Sequence, residues 1–152
     1  MMDTKSMLEK AIALATVAHM GQRDLVGEPY ILHPLRVMLR MKDPESMIVA
    51  VLHDILEDTG VSERQLLQAG FEARLVSIIK MLTQQKGEPY MDYIGRIASH
   101  SWARSVKLAD LDDNMDPVRV HALYQSNKYP HRAIERRVMK YLKAWTSLRH
   151  HE

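Results

Sequence analysis

Four polar side chains interrupt an otherwise apolar run, Val51-Leu52-His53-Asp54-Ile55-Leu56-Glu57-Asp58-Thr59. His53 and Glu57 are four residues apart, as are Asp54 and Asp58, and Asp54 and Glu57 are three apart. On one continuous helix those spacings gather all four on one face and leave Val51, Leu52, Ile55 and Leu56 on the other. Three carboxylates and an imidazole so placed repel one another unless the face is fully solvated or a cation sits among them. A divalent ion answers the second case, because imidazole and carboxylate are ligands for Mn, Fe, Zn and related metals. Asp110 forms a second focus. Asp110 and Asn114 are four apart on a segment whose apolar residues include Val106, Leu108, Ala109 and Leu111. A carboxylate hemmed in by apolar neighbours needs a partner.

The elements that must position these groups read as helices. Apolar residues recur at helical spacing along nearly the whole chain, with no alternating run of β-branched residues between turn signals. The expectation is an all-α fold, a compact bundle of about eight helices, in one domain over residues 1–152. Met7, Ala11, Leu14, Ala15 and Ala18 mark a first helix that Gly21 ends. Arg23 to Tyr30 reads as a loop. A second helix runs from His33-Pro34 to Met41, with proline in its first turn. A third opens at Asp43-Pro44 and continues through Leu56. Ser62 and Gln65 have capping-box spacing for a short fourth. Others cover Glu72–Leu82, Met91–Ser99 and Trp102–Asn114, with Asp116-Pro117 closing the run. Val118 to Pro130 has no clear pattern, and a basic helix follows over 131–148.

Composition narrows the function classes. The chain has 152 residues, 46% hydrophobic and 26% charged, enough for one globular core. It has no cysteine, which excludes disulfides, thiolate metal sites and cysteine nucleophiles, so any metal is held by His and carboxylate. The net charge of +2 argues against a uniformly basic nucleic-acid binder. That total conceals a split: residues 118–152 carry eight basic and two acidic side chains, and the first 117 carry thirteen and seventeen. No uncharged stretch approaches the roughly 20 residues of a membrane span. No leader is read at the N-terminus, so the expected location is cytoplasmic.

Three blocks carry a resemblance. Ala18-His19-Met20-Gly21-Gln22 with Gly27-Glu28-Pro29-Tyr30-Ile31-Leu32-His33-Pro34, then His53-Asp54-x-x-Glu57-Asp58-Thr59, then Val106-Lys107-Leu108-Ala109-Asp110 with Asn114, resemble in order and context the HD-domain hydrolases of the RelA/SpoT type, including the small alarmone hydrolases. The resemblance implies an all-helical domain that binds one divalent ion, most often Mn²⁺, and removes the 3′-pyrophosphate of guanosine tetra- or pentaphosphate, the alarmones of the stringent response. Carried over residue by residue, it implies that His33, His53, Asp54 and Asp110 are metal ligands and that Glu57 and Asp58 are the catalytic acids. Arg23, Tyr30, Lys107, Asn114, Arg137 and Tyr141 become the expected substrate contacts. Lys107 has a second reading, as an ion-pair partner of the carboxylates. Arg137 and Tyr141 have one too, as parts of an amphipathic closing helix. His19 reads as structural.

The sequence departs from that pattern at two places. The family's Arg-Lys pair between Gly-Gln and Gly-x-Pro-Tyr is replaced by Asp24 and Leu25, with Arg23 one position earlier. After Asp110, where a basic residue and a non-acidic pair are usual, stand Leu111, Asp112 and Asp113. Retained metal and water machinery with altered nucleotide-reading positions leaves three readings: a guanosine 3′,5′-bis(diphosphate) 3′-pyrophosphohydrolase, a phosphohydrolase of another nucleotide or phosphorylated dinucleotide, and a non-catalytic nucleotide-binding module. The partner in each case is a nucleotide or polyphosphorylated small molecule, with no membrane and no nucleic acid; association into homo-oligomers is left open.

Overall fold

The computed structural model describes residues 3–151, and all regular structure within them is helical apart from one isolated antiparallel bridge between Arg23 and Pro29. Ten helices follow in order: α1 (Thr4–Ala18), α2 (Leu32–Leu39), α3 (Pro44–Val51), α4 (Ile55–Asp58), α5 (Glu63–Gln68), α6 (Ala73–Met81), α7 (Tyr90–Ala98), α8 (Ser101–Asn114), α9 (Pro117–Ser126) and α10 (His131–Arg149). Among the described residues no helix is long and apolar enough to cross a membrane.

Helix α3 is the axis of the bundle. Ile48, Val49, Ala50 and Val51 are all buried, and the helix packs against α1, α2, α6 and α8. Its last five residues, Met47 to Val51, are apolar on every side and have no stable place except the centre. Asp43 starts it by accepting from Ser46 N at 2.9 Å, with Pro44 at the first helical position. Leu52 and Ile55 continue the core beyond its end, each fully buried, and each such side chain contributes about 1.5–3 kcal/mol relative to exposure.

The expected third helix is two helices. The chain leaves helical geometry at Leu52 and resumes at Ile55, with 52–54 forming a turn. The His53 ring explains the break. Its Nδ1 lies 2.7 Å from the Ala50 carbonyl, which also accepts from His53 N at 3.3 Å. That carbonyl would receive Asp54 N in an unbroken helix. The turn swings His53 into the interior, so the four polar groups do not share one helix face: His53 is 3% exposed, whereas Glu57 and Asp58 lie at the surface.

Residues 118–130, without a sequence pattern, hold all of α9 but its first residue. Asp116 caps it, accepting from Val118 N and Arg119 N, and Pro117 is its first residue. The Asp-Pro pair read as an end is a beginning, built like the Asp43-Pro44 start of α3. The loop from Arg23 to Pro29 is drawn into a tight turn: Asp24 N bonds Glu28 O, Gly27 N bonds Asp24 O, and Asp24 Oδ1 accepts from Val26 N and Glu28 N. Gly27 has φ +91°, where a side chain is strained, and so makes the turn possible.

Candidate active site

The broken helix, the first turn of α2 and the last turns of α8 meet at one point. His33 Nε2 lies 2.9 Å from Asp110 Oδ1 and 3.7 Å from Asp54 Oδ2; His53 Nε2 lies 3.1 Å from Asp54 Oδ2 and 3.5 Å from Asp110 Oδ1. Two nitrogens and two carboxylate oxygens thus converge from three chain segments. Atoms bound about 2.1 Å from a common ion are separated by about 3.0–3.4 Å in octahedral or tetrahedral arrangements, and the four distances scatter around that range.

Each imidazole is held from behind. His33 Nδ1 is 2.6 Å from Asp113 Oδ2, and His53 Nδ1 is bonded to the Ala50 carbonyl. An acceptor at Nδ1 keeps a proton there and turns the Nε2 lone pair inward, the usual arrangement of a ligating histidine. His53 Nε2 is buried with no hydrogen-bond partner. Burial opposes a charge on His53, yet Asp54 and Asp110 outweigh it and hold the imidazole well above its ordinary pKa. Asp54, against its own burial, is drawn down to about 2 by His53. Groups so buried require positive charge among them, which protonated imidazoles or one divalent ion supply. His33, His53 and Asp54 together can hold a metal ion.

Asp110 is secured from the other side. Lys107 Nζ stands 2.7 Å from its Oδ2, and Asn114 Nδ2 donates to Oδ1 at 2.8 Å. Lys107 is therefore an ion-pair partner of a carboxylate, as one of its two readings expects, while also lining the cavity over the cluster. Tyr30 donates its hydroxyl to Asp54 and, at 3.4 Å, to Asp58 Oδ2. Burial, reinforced by Asp54, keeps that phenol protonated at any ordinary pH.

Above the cluster opens a cavity of about 370 Å³, within the usual size of a small-molecule site. Every residue read from the sequence as a ligand, catalytic acid or substrate contact lines it except His53, which is buried. Glu57 and Asp58 stand at the rim of the cluster. Burial raises both carboxyls, and the nearby Asp54 charge adds to the effect. Glu57 Oε1 accepts from Gln84 N at 2.9 Å, leaving Oε2 for the cavity. Arg137 and Tyr141 also reach it from α10, with Arg137 Nη1 3.3 Å from the Tyr141 hydroxyl.

The cavity wall includes further residues. Arg119 on α9, Lys140 on α10, Tyr90 on α7 and Gln84 all line the cavity. Lys140 lies 4.7 Å from the Tyr90 ring and 5.2 Å from the Tyr141 ring. The departures after Asp110 also change meaning. Leu111 is core, and Asp112 faces away, accepting from Trp145 Nε1 at 2.8 Å. Asp113 stands behind His33, paired with Arg36 through Nε–Oδ1 at 2.7 Å and Nη2–Oδ2 at 3.0 Å. None of the three reads a ligand in the cavity. His19 is buried, its Nδ1 2.8 Å from Gln22 Oε1 and its ring 4.9 Å from that of Tyr30.

Comparison with known proteins agrees with this geometry. Residues 11–111 match the HD domain family. A guanosine-3′,5′-bis(diphosphate) 3′-pyrophosphohydrolase of Aquifex aeolicus is 30% identical over 130 residues, covering 80% of this chain and 18% of that protein. The bifunctional (p)ppGpp synthase/hydrolase SpoT of Escherichia coli is 32% identical over 127 residues, 74% of this chain and 18% of its own length. The chain thus spans under a fifth of the length of these curated relatives. A solved structure of a metazoan ortholog of SpoT, described as hydrolyzing ppGpp and acting in starvation responses, superposes with a TM-score of 0.79 at 21% identity, covering 97% of this chain and 88% of that one. At that identity the likeness is one of fold.

Proposed function

The chain belongs to the HD domain family, and from that premise we propose that it is a metal-dependent phosphohydrolase whose substrate is guanosine 3′,5′-bis(diphosphate), cleaved at the 3′-pyrophosphate. The observation that carries the proposal is the meeting of His33, His53, Asp54 and Asp110 beside a cavity that all but His53 line and that both carboxylates and cations border. In this reading those four residues hold the ion, with Mn²⁺ the first candidate among the divalent metals that accept both imidazole and carboxylate. A divalent ion bound there lowers the pKa of water toward neutrality and offsets the charge of phosphate oxygens.

The chain's own groups supply the rest. Glu57 keeps one oxygen on the Gln84 amide and takes the proton of the attacking water at Oε2. Partial desolvation and the nearby charges of Asp54 and Asp58 favour that role, since both make the carboxylate hold a proton more tightly. A bond forms from the water oxygen to the phosphorus joined to the ribose 3′ oxygen, the phosphorus–ribose bond breaks, and the 3′ oxygen takes a proton. Asp58, whose carboxyl is also raised, is the candidate donor. Arg137, Lys140 and Lys107 contribute positive charge along the cavity wall.

Metal analysis coupled to a turnover assay tests the proposal. Protein with about one bound ion per chain that releases pyrophosphate from guanosine 3′,5′-bis(diphosphate) supports it; metal-loaded protein with no turnover of that compound overturns the substrate. A second reading keeps the chemistry and changes the nucleotide. It is favoured by Asp24, whose carboxylate is occupied by its own turn and by Arg119, and so offers nothing to a phosphate. Release of phosphate or pyrophosphate from other members of a nucleotide panel separates the two.

A further inference from the structure

Asp24 stands where the resemblance expects a basic residue, and its partner lies far along the chain. Arg119 Nη1 donates to Asp24 Oδ2 at 3.2 Å, ninety-five positions away in sequence, across the wall of the cavity. The guanidinium is poorly satisfied. Of its five donor hydrogens, this is the one hydrogen bond found among the described residues, and the buried Nε has no hydrogen-bond partner. The nearest second carboxylate, Asp113, is 3.8 Å from Nε and already engaged by Arg36 and by His33. Leu25 and Val26 of the loop and Leu123 of α9 line the same cavity.

We propose that Arg119, braced by Asp24, takes the role of the missing basic pair and binds a second anionic group of the substrate, remote from the phosphorus that is attacked. Two arguments carry this. An arginine held by one carboxylate with donors left over is a pre-oriented fork for phosphate. Asp113 also lies between Arg119 and His33: its Oδ2 contacts His33 at Nδ1, the nitrogen that faces away from the cluster. The guanidinium is thus set back from the four converging donor atoms and meets a different part of the molecule. The aliphatic side chains of Leu25, Val26 and Leu123 suit the body of a nucleoside carrying that group. Arg119 thus serves the end of the nucleotide that is not attacked. This deepens the phosphohydrolase reading of the cavity and rests on it for the identity of the reaction.

Wild type and Arg119→Ala are compared on guanosine 3′,5′-bis(diphosphate) and on guanosine 3′-diphosphate, which lacks the 5′ group. The expected result is a fall in kcat/KM of about tenfold to a hundredfold on the first, carried mainly by KM, and little change on the second. Arg119→Lys, which keeps the charge and loses the fork, recovers part of the loss. An equal fall on both substrates, or none on either, overturns the proposal. Calorimetric binding of GDP against guanosine to chelator-treated protein gives a readout independent of turnover. The wild type prefers GDP by about tenfold, and Arg119→Ala abolishes the preference. A preference unchanged in the variant, or absent from the wild type, overturns the role of Arg119. A GDP preference lost in the variant, with no nucleotide turned over by the metal-loaded wild type, leaves Arg119 in place and removes only the hydrolase reading.

Discussion

Asp113 stands 2.6 Å from His33 Nδ1 and decides which nitrogen of that ring faces the cluster. Its two oxygens are shared among His33 and the guanidinium of Arg36, and hydrogen bonds to both hold its carboxyl far below the ordinary range despite burial. An acid at this position looked like a departure from the expected pattern; in space it is the brace behind a proposed ligand.

Asp113→Ala is therefore expected to weaken Mn²⁺ binding by about 10–100-fold, the usual effect of removing a group that orients a ligating histidine. Competition against a chelator of known affinity measures it. Unchanged affinity would show that Ala50, Asp54 and Asp110 orient the site without it.

His53→Ala and Asp110→Ala remove proposed ligands directly. Each is expected to reduce bound metal to trace amounts. Thermal melts supply a second measure: at an ion concentration a hundred times its Kd, the wild type gains about 2.7 kcal/mol, and these variants gain nothing. A melting shift on Mn²⁺ addition that survives in both variants would place the ion elsewhere.

Glu57→Gln keeps the size of the side chain and its acceptor for the Gln84 amide but cannot take a proton. Metal content should stay at the wild-type level while kcat falls by about 10²–10⁴-fold. A variant that turns over at the wild-type rate removes Glu57 from the mechanism.

The loop that reaches Glu57 is tied down by an ion pair. Arg96 bonds both oxygens of Glu88, at 2.8 and 3.0 Å, and also the carbonyls of Met81 and Thr83, while Gln84 Nε2 bonds the Glu88 carbonyl. Hydrogen bonds from Arg96, then from Gln85 N, hold the Glu88 carboxyl down to about 2 from 4.5. A carboxyl lowered on folding stabilises fully above its unfolded value, and that contribution disappears as pH falls from about 4.5 through about 2. Melting temperatures across this window should fall more for the wild type than for Glu88→Gln. Parallel curves would mean the pair contributes nothing to stability.

The polar residues of the site were legible because their types and spacings are unusual against an apolar background. His53, Asp54, Glu57 and Asp58 stand out in a run that is otherwise Val, Leu and Ile. What periodicity could not see was the side-chain bond from His53 to Ala50 that breaks the helix, since hydrophobic spacing is indifferent to whether a carbonyl is taken by a backbone amide or an imidazole. Helix α9 was hidden for a different reason: Leu123 is its one buried residue, so it shows no apolar stripe. Its start signal, Asp116-Pro117, was present all along. Arg119 could not be found without α9, because its meaning lies in a contact with Asp24 at the other end of the sequence.

The four converging donors are widely scattered in the chain: His33, the adjacent pair His53 and Asp54, and Asp110. In the unfolded chain only His53 and Asp54 of the four lie close together, so bringing His33 and Asp110 to them is the work of the fold, through the packing of α2 and α8 against α3. The apolar packing around α3 that buries Ile48, Val49, Ala50 and Val51 is therefore also what sets the distances between the four polar groups, and a core substitution far from the cavity is felt there as a displaced donor.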